Sequence, residues 1–235
     1  MVTRRDFLKA TGMAGMAAFG SLALAACGES RGAASSISAA SASASTNSAS
    51  AGTSASASAA VSSTAAATAD SIVVYFSRAD ENYGVGHVEQ GNTAVLAEMI
   101  SAKTGSDMFE IKPEAAYPAS YQECCDVALE EQHAGARPAY TVDVDLAPYK
   151  TVYLGYPIWW GDLPMCVYTF LEAHDWAGKD IHPFCTHEGS GVSGTDSKLV
   201  AACAGATVGT PLSMTGTTAQ TDRPMAESAV DAWIG

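Results

Sequence analysis

Three short stretches hold residue types whose chemistry points the same way. The first is Ser77-Arg78, joined after a polar interval by Gly91-Asn92-Thr93 at the expected start of a helix. A helix N-terminus exposes unpaired N–H groups and the positive end of the helix dipole, so it suits an anion. Ser77, Asn92 and Thr93 could each donate to phosphate oxygens, and Arg78 is the only formal positive charge nearby. The same Gly-Asn-Thr also reads as an ordinary helix cap. The second stretch, Pro157-Ile158-Trp159-Trp160-Gly161, offers two flat aromatic faces. Such rings are costly to leave wet, and one of the two is expected to tuck into the core. The third is Thr186-His187-Glu188-Gly189-Ser190-Gly191. Its glycines allow main chain to approach a planar ring closely. His187 and Glu188 are acid–base residue types, but nothing near them resembles a nucleophile they would activate. They are expected to line a pocket or face solvent, and no catalytic residue is assigned.

Strands alternating with helices must hold these loops. Ser71–Phe76 is a continuous apolar run, as for a strand buried on both faces. Asn92–Ser101 predicts a helix with Val95, Leu96, Met99 and Ile100 on one side, closed by Gly105. A strand follows at Asp107–Ile111, then a helix at Tyr121–His133 and a third strand at Thr151–Tyr156. Leu163–His174 predicts a helix with Asp162 as its N-cap, followed by a strand at Ile181–Cys185 and a helix at Asp196–Ala204. Thr207–Met214 is the expected fifth strand and Met225–Ile234 the last helix. This alternation argues for a parallel sheet wrapped on both faces, with ligands at the carboxyl ends of its strands. The three loops leave strands one, three and four, so they face one site. A ligand with a phosphate at one end and a flat heteroaromatic ring at the other satisfies all three, and FMN is such a ligand.

Residues 71–235 resemble the flavodoxin-like family of bacterial FMN proteins. The resemblance rests on Val74-Tyr75-Phe76-Ser77, Gly91-Asn92-Thr93, Gly155-Tyr156-Pro157-Ile158-Trp159-Trp160, Phe170-Leu171 and Phe184-Cys185-Thr186-His187-Glu188-Gly189-Ser190-Gly191. It implies a doubly wound α/β fold with a five-stranded parallel sheet of order 2-1-3-4-5. It also implies FMN, with the phosphate at Ser77, Asn92 and Thr93 and the isoalloxazine between the second and third loops. One departure stands out. Short flavodoxins place the serine almost next to the Gly-Asn-Thr, whereas here Arg78–Gln90 intervenes, carrying Asn82, Tyr83, Gly84, Gly86 and His87. This segment is expected either to wall a pocket or to be a surface excursion.

The front of the chain reads as an address. Thr3-Arg4-Arg5-Asp6-Phe7-Leu8-Lys9 resembles a twin-arginine export signal, and Leu24-Ala25-Ala26-Cys27 a lipobox whose cysteine thiol carries a diacylglycerol. The apolar stretch between them is short for a bilayer span, although an uncleaved anchor helix is the alternative. Residues 28–70 are mostly Ser, Ala, Gly and Thr, a composition that cannot bury enough apolar surface to order itself. The expected organisation is a signal over residues 1–27, a spacer over 28–70 and one domain over 71–235, exported and lipid-anchored outside a bacterial membrane.

A net charge of −13, with no Lys/Arg cluster past Arg5, argues against nucleic acid as a partner. Cys124, Cys125, Cys166, Cys185 and Cys203 form no disulfide pattern, and Cys124-Cys125 lacks the spacing of a zinc site. No metal is expected. Three functions remain open: a carrier moving electrons between a redox partner protein or membrane donor and its acceptor, an FMN-dependent reductase of quinones or other small molecules, and a flavin-free binding module.

Overall fold

The computed structural model describes residues 70–235. The expected signal, the lipobox at Cys27 and all of the spacer except Asp70 lie outside the described residues. Chain order is β1 (Ser71–Tyr75), β2 (Asp80–Asn82), β3 (Gly86–Val88), α1 (Asn92–Thr104), β4 (Asp107–Glu110), α2 (Tyr121–Ala134) and β5 (Thr151–Pro157). Then come α3 (Met165–Ala173), β6 (Asp180–His187), α4 (Thr195–Ala202), β7 (Thr207–Val208), β8 (Leu212–Thr215), α5 (Gly216–Thr221) and α6 (Arg223–Ile234).

The main sheet runs β4-β1-β5-β6-β7 with all pairs parallel, and β8 also pairs with β6. This is the expected order, with one refinement. The strand read as Thr207–Met214 arrives in two pieces, so the sheet counts six strands rather than five. β7 lies against Asp180–Ile181 and β8 against Phe184–His187. Between them Pro211 has no N–H to give a ladder, which breaks the strand.

Alternation along β1 divides the core. Ile72, Val74 and Phe76 face one cluster, which contains Phe170 and Leu171 of α3 and Leu199 of α4. Val73 and Tyr75 face the other, with Val95, Leu96 and Ile100 of α1 and Val230 of α6. Helices therefore cover both faces, as a parallel sheet requires.

One helix expectation is extended and one corrected. α1 buries Val95, Leu96, Met99 and Ile100 as expected, and also Thr93, Ala94 and Ala97, because α5 and α6 pack on it, while Glu98, Ala102 and Lys103 stay exposed. The short α5 was not foreseen. The helix after the tryptophans begins at Met165 behind Pro164, and Asp162 is not its cap. Asp162 instead braces the preceding loop: its Oδ1 accepts from Leu163 N–H and Tyr168 O–H, each at 2.8 Å, and its Oδ2 lies 2.7 Å from Lys198 Nζ.

β1 stands between β4 and β5, so the chain's path reverses there and the segments leaving β1, β5 and β6 meet at one edge.

Candidate functional site

α1 begins at Gly91, whose backbone is ordinary at φ −65° and ψ 152°. Glycine is required here by closeness: any Cβ would overlap the Ser77 hydroxyl and the Arg78 carbonyl. Ser77 supplies the cap that Gly91 lacks, its Oγ accepting from Ala94 N–H at 3.0 Å. The N–H groups of Gly91, Asn92 and Thr93 then have no acceptor among the described residues. They form the anion-attracting end of the site. The Thr93 hydroxyl does not join them. It turns inward to Thr186 Oγ1 at 2.8 Å, both side chains buried, and so ties the first loop to the third. Asn92 Oδ1 accepts from Gln220 Nε2 at 3.0 Å, and the same amide donates to Gln90 O at 2.7 Å.

Arg78 is spent as a clamp. Its guanidinium donates to the backbone carbonyls of Glu81, Pro118 and Ala119, pinning the inserted segment to the approach to α2. That segment is an antiparallel hairpin of β2 and β3.

The tryptophan loop is a two-residue reversal. Trp159 and Asp162 exchange both backbone hydrogen bonds at 2.9 Å, with Trp160 at φ 50° and Gly161 at φ 72°. Two successive positive φ values define a type I′ turn, and a bulky Trp in its first position holds strain of about 1–2 kcal/mol. The two rings part ways. Trp159 packs edge-on against Phe76 and Tyr117, with centroids at 5.3 and 4.9 Å. Trp160 remains 54% exposed, with its indole N–H donating to Cys125 O at 3.0 Å. The expectation that one ring tucks in holds, and Trp159 is that ring.

The third loop is joined to the second by Ile158 N–H donating to Thr186 O at 2.8 Å. His187 Nδ1 accepts from Gly189 N–H at 2.9 Å, which places a neutral ring's proton on Nε2. Burial lowers the His187 pKa, opposed by the charge of Glu188, so neutrality is favoured. Glu188 accepts from Thr217 N–H at 2.7 Å and from its hydroxyl at 3.0 Å.

One cavity of about 360 Å³ lies between these pieces, within the ~300–1,000 Å³ usual for small-molecule sites. Arg78, Asn92, Pro157, Ile158, Trp159, Trp160, Thr186, His187 and Glu188 line it. Ser77, Gly91, Thr93, Gly161, Gly189, Ser190 and Gly191 do not line it but belong to the loops that do.

A flavodoxin family model matches residues 83–230. The chain belongs to the flavodoxin family. Among solved structures, a Bacteroides uniformis protein described as a flavoprotein is 26% identical with a TM-score of 0.56, covering 69% of this chain and 98% of that one. A Bacteroides eggerthii counterpart is 28% identical at TM-score 0.52, with 70% and 94% covered. A Lactobacillus acidophilus flavoprotein crystallised with FMN is 19% identical at TM-score 0.50, with 70% and 98% covered, and shares the fold. No curated protein matches the sequence.

Of the two expectations for the inserted segment the pocket wall holds, since Asn82 and Tyr83 of the hairpin line the cavity of this flavodoxin domain; Tyr121, Gln122, Cys124, Cys125 and Ala128 of α2 complete the wall and were not assigned from sequence. Tyr83 lay in the noted insertion, whereas the α2 residues carried no local signal, since a helix start at Tyr121 reads as ordinary. Hydrogen bonding to the Cys125 thiol and burial push the Tyr121 hydroxyl up to about 12, and burial pushes Cys124 up to about 11. Both stay protonated at neutral pH. The five cysteines of the described residues are free.

Proposed function

We propose that this flavodoxin domain binds FMN and passes electrons between redox partners while held by lipid on Cys27 at the outer face of a bacterial membrane. The observation that carries this reading is one cavity lined both by Asn92, at a helix start whose first N–H groups are unpaired among the described residues, and by the exposed indole of Trp160. The residues fit the group. Gly91, Asn92 and Thr93 offer main-chain N–H groups to a phosphate dianion, and Ser77 holds that helix end in shape. Trp160 offers a ring face, fixed by its bond to Cys125 O. The loop from Thr186 to Gly191 brings main chain and the His187 Nε2–H toward a ring edge. FMN supplies the redox chemistry, while the protein binds it, shields it and tunes its potential.

The leader supports the setting. A twin-arginine-like motif ahead of a lipobox suits a domain that leaves the cytoplasm folded around its cofactor. Nicotinamide donors are scarce outside the cell, so the donor is a membrane component or another exported carrier. A Ser/Ala-rich spacer separates the lipobox from the domain.

Fractionation of cells expressing the full chain tests the tether. The wild type is expected in the membrane fraction with labelled lipid on Cys27, and Cys27→Ser released from it. A wild-type chain found soluble and unlabelled contradicts the anchor. Reductive titration of the flavin-loaded chain, followed by reoxidation by a one-electron acceptor protein, tests the redox role.

A further inference from the structure

The β2–β3 hairpin supplies part of the cavity wall without belonging to the core. Asn82 and Tyr83 line the cavity, yet none of residues 80–90 is buried. A lone two-stranded hairpin is marginal in water, so this one keeps its place through its attachments. Those attachments are polar and centre on one side chain. Arg78, just ahead of β2, donates from Nε and Nη2 to Pro118 O at 3.1 and 2.6 Å. Nη2 also donates to Ala119 O at 2.7 Å, and Nη1 to Glu81 O. Glu81 extends the same seam: its N–H donates to Ala119 O at 3.2 Å, and its carboxylate accepts from Tyr121 N–H at 3.2 Å, where α2 begins. The base of the hairpin is held against a local preference, since Asp80 lies at φ 66°. At the far end Gly84 approaches the third loop, where an added Cβ would lie 3.0 Å from the Glu188 carboxyl carbon.

The other loops of the wall are tied to one another. Ile158 N–H donates to Thr186 O, and the buried hydroxyls of Thr93 and Thr186 are paired. The hairpin is therefore the part of the wall that opens at least cost. The bonds of Arg78 join protein to protein and need no ligand. Weakening them raises the open population of the empty and the filled cavity by the same factor, so entry and exit quicken together and affinity is kept. A side chain that touches the ligand behaves otherwise, since its loss raises Kd, chiefly through the exit rate.

We infer that Arg78 is a latch on the hairpin, and that opening of the hairpin sets the rate at which flavin enters and leaves the cavity. This rests on the FMN reading above and goes beyond it by giving Arg78 a positioning role in place of a phosphate contact.

The test measures association and dissociation of FMN and of riboflavin, which lacks the phosphate, by stopped-flow flavin fluorescence on the full chain. Wild type, Arg78→Ala and Glu81→Ala are compared. In Arg78→Ala both rates are expected to rise at least about tenfold, the size of one lost bond from a charged donor, equally for the two flavins and with Kd nearly unchanged. Glu81→Ala, which lies off the cavity lining, is expected to quicken both rates about fivefold, the size of a lost helix cap. For FMN exit this is opposite to the electrostatic effect of removing a negative charge near an anion. An Arg78→Ala protein that loses affinity for FMN alone makes Arg78 a phosphate contact and overturns the latch. Wild-type rates in Glu81→Ala overturn it as well, and decide the matter should Arg78→Ala fail to fold. Hydrogen exchange at the Glu81 amide without ligand separates the two readings. A wild-type chain that takes up neither flavin sinks the FMN reading. Exchange that is then about tenfold faster in Arg78→Ala, with the β1 and β5 amides unchanged, keeps the latch standing, and equal exchange removes it.

Discussion

Replacing Gly91 by alanine is a sharp perturbation because its cost is steric alone. The backbone at Gly91 suits any residue, so no strain arises from φ. The added methyl would stand 2.6 Å from the Arg78 carbonyl carbon and would overlap Ser77 Oγ. Relief requires Ser77 to leave Ala94 N–H, a lost cap of about 1 kcal/mol. It also forces loop and helix apart, an overpacking cost of about 1–3 kcal/mol. The sum, about 2–4 kcal/mol, is within a stability of roughly 5–15 kcal/mol, so the variant folds. For a domain of this size that is a fall in Tm of very roughly 4–16 °C. The same shift splays the three unpaired N–H groups, so FMN affinity is expected to drop at least about tenfold, a loss of 1.4 kcal/mol. Gly105→Ala is the control. It lies at φ 69° with nothing within 4 Å of the new methyl, and it sits at the other end of α1. It should cost about 1–2 kcal/mol and leave FMN affinity unchanged. Thermal unfolding and fluorescence titration with FMN read both quantities. A Gly91→Ala protein with wild-type Tm and wild-type affinity would refute the reasoning.

Thr186→Val leaves the buried Thr93 hydroxyl without its partner and is expected to cost about 1–3 kcal/mol in denaturant unfolding. The Thr93→Val, Thr186→Val double variant should lose less than the sum of the singles, and strict additivity would count against the pair. Gly161→Pro cannot hold φ 72°, so the type I′ turn must open and the Trp160–Gly161 peptide moves. A redox titration in which every flavin step keeps its wild-type potential would contradict the placement of the isoalloxazine against the second loop. The folded-state pKa of His187 is lowered by burial, so the unfolded chain binds its proton first. Its share of stability is complete above the unfolded value near 6.5 and declines as pH falls below it. Tm measured between pH 8 and 5 should therefore fall less steeply in His187→Gln, and parallel curves would remove His187 from the account.

The strands and the three loops were legible because their signals are local, whereas the strand order came with the family resemblance. Ile72–Phe76 is apolar at every position, Gly91 stands at a helix start, and Gly161 and Gly189 stand in the loops that follow strands. What escaped depends on partners far along the chain. Asp162 looks like a cap until Tyr168 and Lys198 claim its oxygens. Arg78 and Thr93 look like phosphate donors until Pro118, Ala119 and Thr186 are brought beside them. The outer side of α1 looked free because the short α5, which helps to cover it, leaves only a faint trace in Gly216–Thr221. That the inserted segment is a β-hairpin was the least legible, since three-residue strands such as Asp80–Asn82 have no hydrophobic period to read.

The most direct measurement is the visible absorption spectrum of the purified chain after exhaustive dialysis. The account predicts flavin bands that survive dialysis, with FMN released on denaturation in a one-to-one ratio to protein. A colourless protein that also fails to take up added FMN would contradict it.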